Sequence, residues 1–196
     1  MSTPITQAVG LYVYPVGTGS SEEWMCLSAE RYCQDRAIPF DAFEIARTEK
    51  GKPYFVNTPV LYVSLSHSGS YCIVAIAPCQ VGVDLQTHHR LPTDLDETQR
   101  YWKLSRRYFH PAEHAYVQSD PVGRFFPIWT AKESYAKYTG TGLDSQFSVW
   151  SILPEDTAQL HSWQAQGVHF QAIDFREGYS LCLCTELPLT HQLYCE

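Results

Sequence analysis

The chain has 196 residues, 44% of them hydrophobic and 14% aromatic, enough to bury a sizeable core as one domain or as two small packed halves. Its formal charge of −7 argues against general nucleic-acid binding, which needs a dense surface of cations. Residues 1–16 are broken by Pro4, Gly10 and Pro15 and lack a basic leader, so the expectation is no signal peptide, no membrane span and a cytoplasmic protein.

In chain order, residues 8–14 predict a first strand and 20–37 a helix. Ser20 or Ser21 caps that helix, Glu22 and Glu23 sit in its first turn, and Pro39 lies just past its end. A short strand over 43–47 leads to the turn Gly51-Lys52-Pro53. Three apolar, β-branched runs follow, 60–66, 71–77 and 80–85, separated by His67-Ser68-Gly69-Ser70 and by Pro78-Cys79. They predict an antiparallel meander. In the third run Val81, Val83 and Leu85 alternate with Gly82, Asp84 and Gln86. The apolar side then faces the core, while Asp84 and Gln86 share the other face about 6.6 Å apart, close enough to reach a common ion.

Residues 87–93 form a polar connection at which strand patterning gives way to helical patterning, and the boundary between two halves, 1–92 and 93–196, falls there. Helices are predicted over 94–109, 111–118 and 123–139, with Pro121 and Pro127 marking breaks or first turns. Strands return at 147–152, 168–175 and 179–185. Each half thus holds a helix followed by strands. Ser70-Tyr71-Cys72-Ile73-Val74-Ala75 faintly echoes Gly178-Tyr179-Ser180-Leu181-Cys182-Leu183, an echo that convergence of short apolar strands explains equally well. The expected fold class is α+β, two similar halves packed as a pseudo-dimer.

Several short patterns could carry chemistry, and each alone has a plainer explanation. Glu133 and Lys137, four apart on a helix stopped by Gly140, point the same way, yet an isolated pair of this kind is worth only a few tenths of a kcal/mol, roughly. Lys52 fixed on a Gly-Pro turn suits a phosphate, and Ser66-His67-Ser68-Gly69 is either a hairpin connection or a donor cluster. His110-Pro111-Ala112-Glu113-His114 matches H-x-x-E-H, but Pro111 at a first helical position leaves His110 as cap and Glu113 near N3, which favours helix initiation over zinc. Arg100, Lys103 and Arg107 recur at helical spacing, as a solvated face or as a docking surface for an acidic protein. Seven cysteines without C-x-x-C spacing fit reduced core thiols.

Read together, Gly51-Lys52-Pro53, Ser66-His67-Ser68-Gly69, Val81-Gly82-Val83-Asp84-Leu85 and Trp129-Thr-Ala-Lys-Glu-Ser-Tyr-Ala-Lys137 resemble the 4′-phosphopantetheinyl transferase superfamily, Sfp-type branch, over residues 43 to 152. Arg107-Tyr108-Phe109 with Glu113 also resemble that family's phenylalanine and acidic helix. The resemblance implies transfer of the phosphopantetheine arm of coenzyme A to a serine of an acyl or peptidyl carrier protein, releasing adenosine 3′,5′-bisphosphate. It implies magnesium bound by Asp84 and Glu133 with Gln86 beside them. Coenzyme A would be held by Gly51, Lys52 and Pro53, by Ser66 and His67 at phosphate, and by Lys137 at the pyrophosphate. Glu133, or a water that it orients, would be the base, with Lys137 and His67 stabilising charge. The carrier would dock near Arg100, Lys103 and Arg107 on a monomer.

Two departures from the family pattern stand out. Gln86 occupies a position where glutamate is usual, giving a neutral ligand that cannot act as a base. The region before Gly51 is short, and the family's N-terminal cations have no motif-level counterpart; Arg31, Arg36 and Arg47 are candidates by charge alone. The competing readings are a binding module that holds coenzyme A or a carrier without turnover, and a metal-dependent phosphoester hydrolase.

Overall fold

The computed structural model describes residues 8–88, 96–142 and 147–195. In chain order the elements are β1 (Ala8–Pro15), α1 (Ser21–Asp35), β2 (Ile45–Arg47), β3 (Pro53–Phe55), β4 (Tyr62–Ser68), β5 (Tyr71–Ala77), β6 (Val81–Thr87), α2 (Glu97–Tyr108), α3 (Pro111–Gln118), α4 (Pro121–Thr139), β7 (Ser162–Ala165), β8 (Val168–Ile173), β9 (Tyr179–Thr185) and β10 (Thr190–Cys195). The class is α+β, as expected. The polar connection over 87–93 and the helix start at 94 lie largely outside the described residues; α2 is capped by Asp96, whose side chain accepts the Gln99 N–H.

Two four-stranded sheets, ordered β10-β1-β5-β4 and β6-β9-β8-β7, stand beside a small β2-β3 hairpin. Alternation along the strands sorts side chains into layers. Val9, Leu11, Ile73, Ala75, Val81, Val83, Leu85, Leu181 and Leu183 form one core shared by both sheets. The alternate residues of the first sheet, among them Tyr12, Val74 and Ile76, pack on Trp24, Met25 and Tyr32 of α1. Those of the second, Phe170, Cys182 and Cys184, pack on Phe125, Ile128 and Ala131 of α4. Each sheet therefore carries helices on its outer face and shares its inner face with the other.

The predicted meander forms only in part. β4 and β5 pair as an antiparallel hairpin, but β6 pairs with β9 in the second sheet, while β10 runs parallel to β1 in the first. A strand from each of the segments 1–92 and 93–196 thus completes a sheet built mainly by the other. No strand forms over 147–152, because side chains satisfy the backbone there: Ile152 N–H donates to Glu113, the Trp150 carbonyl accepts from Lys132, and the Ile152 carbonyl accepts from Trp163. β3, β7 and β10 are strands that the sequence reading left out.

Local signals set the helix ends. Ser20 and Glu23 form a reciprocal capping box at α1, and His110 and Glu113 form another at α3, with Pro111 in its first turn. Asp120 caps α4 at Gly123, and the helix ends at Gly140 in the left-handed region, φ 72°.

Candidate active site

The site begins with a close approach of α4 to β6. Gly82 faces the helix, and a Cβ there would collide with the backbone carbonyl of Ser134 and the backbone nitrogen of Tyr138. Only glycine lets the helix lie this near the strand. Two residues on, Asp84 points the same way as Gly82, toward the α4 face that carries Glu133 and Lys137.

Asp84 is 2% exposed. Its Oδ1 accepts from the Lys137 ammonium at 2.7 Å and from the Ser66 hydroxyl at 2.8 Å, whereas Oδ2 is buried without a partner among the described residues. Burial pushes the Asp84 carboxyl above the usual range, and Lys137, then Ser66 and Gln86, pull it back. Glu133 is pushed up to about 7, first by burial and then by the charge of Asp84, with Lys137 opposing. The two carboxylates therefore feel one another. Lys137, 30% exposed, joins strand to helix.

β6 is held on its other edge by an unusual seam. Its N–H groups at Val83, Leu85 and Thr87 donate to the hydroxyls of Ser64, Ser66 and Ser68 at 3.0, 3.1 and 2.9 Å. Side-chain oxygens of β4 thus stand where a neighbouring strand's carbonyls would otherwise be.

Above this floor lies a cleft of about 390 Å³. Its walls are Ser21 and Met25 of α1, the β2–β3 turn with Arg47, Lys50, Gly51, Lys52 and Pro53, Leu65 and His67 of β4, and Glu133, Ala136 and Lys137 of α4. Four cations, a histidine and Glu133 line it, a local concentration of positive charge on a chain of formal charge −7. Gly51, at φ 84°, makes the turn possible. The Lys52 ammonium donates to the carbonyls of Tyr138 and Val81, covering the last turn of α4, and burial pushes it down to about 8.

A second buried ion pair braces α4 from behind. Lys132 and Glu113, both 0% exposed, are 2.9 Å apart. Glu113 also accepts from the backbone N–H groups of His110 and Ile152, and the Lys132 ammonium lies over the Trp150 ring at 3.9 Å. Glu113 is therefore both helix cap and ion-pair partner.

Comparison with known proteins decides the family. The model of the 4′-phosphopantetheinyl transferase superfamily matches residues 80–184, more than half of the chain, from β6 to β9. The chain belongs to the 4′-phosphopantetheinyl transferase superfamily. Among its relatives, 4′-phosphopantetheinyl transferase psf-1 of Bacillus pumilus is 29% identical over 160 residues, 78% of this chain and 64% of that protein. The 4′-phosphopantetheinyl transferase gsp of Aneurinibacillus migulanus is 31% identical over 154 residues, 76% and 60% respectively. The Sfp protein of Bacillus subtilis strain 168, a 4′-phosphopantetheinyl transferase, is 24% identical over 148 residues, 71% and 62%. The chain thus spans less than two thirds of the length of these curated relatives.

In this member of the superfamily, Glu133, Lys137, His67, Gly51, Lys52 and Pro53 gather on one cleft, with Asp84 in contact with Lys137 beneath it. Ser66 is 4% exposed, and its hydroxyl is engaged by Leu85 and Asp84. Of the three arginines named by charge, Arg47 lines the cleft; Arg36 stacks on Tyr32 and Arg31 on Tyr194. Lys50 also lines the cleft; it directly precedes the Gly51-Lys52-Pro53 turn, and that adjacency is the signal by which the sequence could have shown it. Arg100, Lys103 and Arg107 are exposed on α2, and the Arg107 guanidinium lies over Tyr108. Among the described residues, no helix is long and apolar enough to cross a membrane.

Proposed function

We propose that this protein transfers the 4′-phosphopantetheine arm of coenzyme A to a serine hydroxyl of an acyl or peptidyl carrier protein and releases adenosine 3′,5′-bisphosphate. The observation that carries the proposal is a pair of carboxylates that feel one another's charge, Glu133 in the wall of a cleft that also carries Arg47, Lys50, Lys52 and Lys137, and Asp84 beneath it in contact with Lys137. Arg47, Lys50 and Lys137 with His67 suit the phosphates of coenzyme A, and Gly51 and Pro53 leave room for its nucleotide. Lys52 stands beside them with its ammonium turned to the end of α4.

The residues fit a magnesium ion. The unpartnered Oδ2 of Asp84 is a buried hard-oxygen acceptor with nothing to accept from, and Glu133 adds a second carboxylate. Gln86, next along the same strand face and hydrogen-bonded to Asp84 through its side chain, would add a neutral third oxygen by turning its carbonyl to the ion. Two protein carboxylates would leave the remaining positions of a magnesium ion to diphosphate oxygens and water. When bound, magnesium supplies neutralisation of the diphosphate charge.

In the transfer, the carrier serine oxygen bonds to the phosphorus that bears the pantetheine arm. The bond from that phosphorus to the bridging oxygen breaks, and the oxygen leaves with the electron pair on adenosine 3′,5′-bisphosphate. Glu133, or a water that it orients, would accept the serine proton. Lys137 and His67 face the charge that builds on the diphosphate. Because the nucleophile comes with the partner, the chain needs no internal serine triad.

The carrier would meet the exposed Arg100, Lys103 and Arg107 of α2, where an acidic surface finds complementary charge. Seven free cysteines, five of them buried, suit a reducing cytoplasm, and a monomer is sufficient for the site. The neutral Gln86 favours one alternative, a module that binds coenzyme A without turning it over. Incubation with coenzyme A, magnesium and an apo carrier, followed by intact mass of the carrier, separates the readings. Gain of one arm supports transfer. Unchanged carrier with intact coenzyme A indicates a binder, and consumed coenzyme A with unchanged carrier indicates a hydrolase.

A further inference from the structure

Three serines spaced two apart hold β6 against β4, and only the middle one is bonded to Asp84. A hydroxyl has one proton and two lone pairs. At Ser66 one lone pair is taken by the Leu85 N–H at 3.1 Å, and the proton is donated to Asp84 Oδ1 at 2.8 Å. The β6 backbone therefore sets the direction in which this hydroxyl points. Lys137 reaches the same Oδ1, so both donors hold one oxygen of the carboxylate and leave Oδ2 uncommitted.

The geometry points to Ser66 as a positioning residue: its hydroxyl, locked by the backbone of β6, orients the Asp84 carboxylate so that one oxygen is kept free for a divalent cation. This differs from the phosphate contact that the family resemblance implies for Ser66. Buried at 4% exposure with its proton already placed, the hydroxyl has nothing left to donate to a phosphate in the cleft. It also gives a reason for serine at the middle rung. Alanine would open the seam and release the carboxylate at once, whereas loss of the Ser68 rung would open the seam alone.

The inference rests on the reading that the cleft takes a divalent cation with coenzyme A, and its test is a binding measurement. Manganese affinity is measured by electron paramagnetic resonance on the whole protein with coenzyme A present and no carrier. Ser66→Ala is expected to weaken manganese binding about 10- to 100-fold. Ser66→Thr, which keeps the hydroxyl, should return it to the wild-type range. Ser68→Ala should lower the melting temperature and leave manganese affinity unchanged. Should Ser66→Ala fail to fold, Ser66→Cys keeps a similar shape with a much weaker donor and should weaken manganese binding in a folded protein. Equal manganese loss in the Ser66 and Ser68 variants, or none in Ser66→Ala and Ser66→Cys, overturns the assignment. A wild-type protein that neither binds manganese nor modifies a carrier defeats the proposed function instead, and this inference with it.

Discussion

Lys137 and Asp84 meet at 2.7 Å, but they are unequally exposed: 30% of the lysine side chain reaches solvent and 3% of the aspartate. Removing one partner is therefore not equivalent to removing the other. Lys137→Met strands a buried carboxylate and should cost stability approaching the roughly 3–5 kcal/mol of a broken buried pair. Asp84→Ala frees an ammonium that can turn to water and leaves only the buried Ser66 hydroxyl without its acceptor, so it should cost less, about 1–3 kcal/mol. Both variants should lose carrier modification. Urea unfolding of the two, run together at neutral pH, checks the asymmetry, and equal losses would contradict it.

Gly82→Ala is expected to be severe for a one-methyl change. The new Cβ meets backbone atoms of α4, which cannot rotate away as a side chain could, so the helix must retreat from β6. A stability loss of about 1–3 kcal/mol is expected. Carrier modification should fall further than the folded fraction does, because the retreat separates Glu133 and Lys137 from Asp84. Activity proportional to folded protein would show that the spacing is unimportant.

Lys132 tests a different link. Its partner Glu113 would remain buried with only the His110 and Ile152 N–H groups to hold its charge. Lys132→Met should destabilise the protein by about 3–5 kcal/mol, while the paired change of Glu113 and Lys132 to apolar residues should recover part of that loss. A double-mutant cycle by denaturant unfolding reads both effects.

Glu133 should leave a signature in pH. Its carboxyl, ordinarily near 4.5, is held at about 7 by burial and by Asp84. Between those values the folded metal-free protein keeps a proton that the unfolded chain has released. This group's contribution to stability is therefore complete below 4.5 and is lost as pH rises through 7. Glu133→Gln should remove that decline, read by urea unfolding over the same range. Because a cation must displace the same proton, manganese affinity should climb with pH to about 7 and then level off.

What could be read from the sequence depended on how local the cause was. The caps at Ser20 and His110, the glycine stop at Gly140 and the alternation of Val81, Val83 and Leu85 act within a few positions, and they were legible. The partner of β6 was not, since pairing with β9 joins positions about a hundred apart and leaves no mark on spacing. Residues 147–152 looked like a strand because Phe147, Val149, Trp150 and Ile152 favour one, yet tertiary contacts to Glu113, Lys132 and Trp163 took its backbone groups. β10 carries no period-two alternation, polar Thr190, His191 and Gln192 being followed by Leu193, Tyr194 and Cys195. One available signal went unused: Ser64, Ser66 and Ser68 repeat at period two on a strand face opposite Ala75 and Ile73, where apolar residues belong.

The crossing of β6 and β10 between sheets bears on how the molecule is made and broken. β1 receives its outer neighbour from the chain's last strand, and β9 receives its own from the sixth. A nascent chain halted anywhere before residue 190 would display β1 with a row of bare amides and carbonyls, an invitation to self-association. Because each sheet draws a strand from the other segment, melting is expected to proceed as one event, and amides in the two sheets should exchange with solvent together.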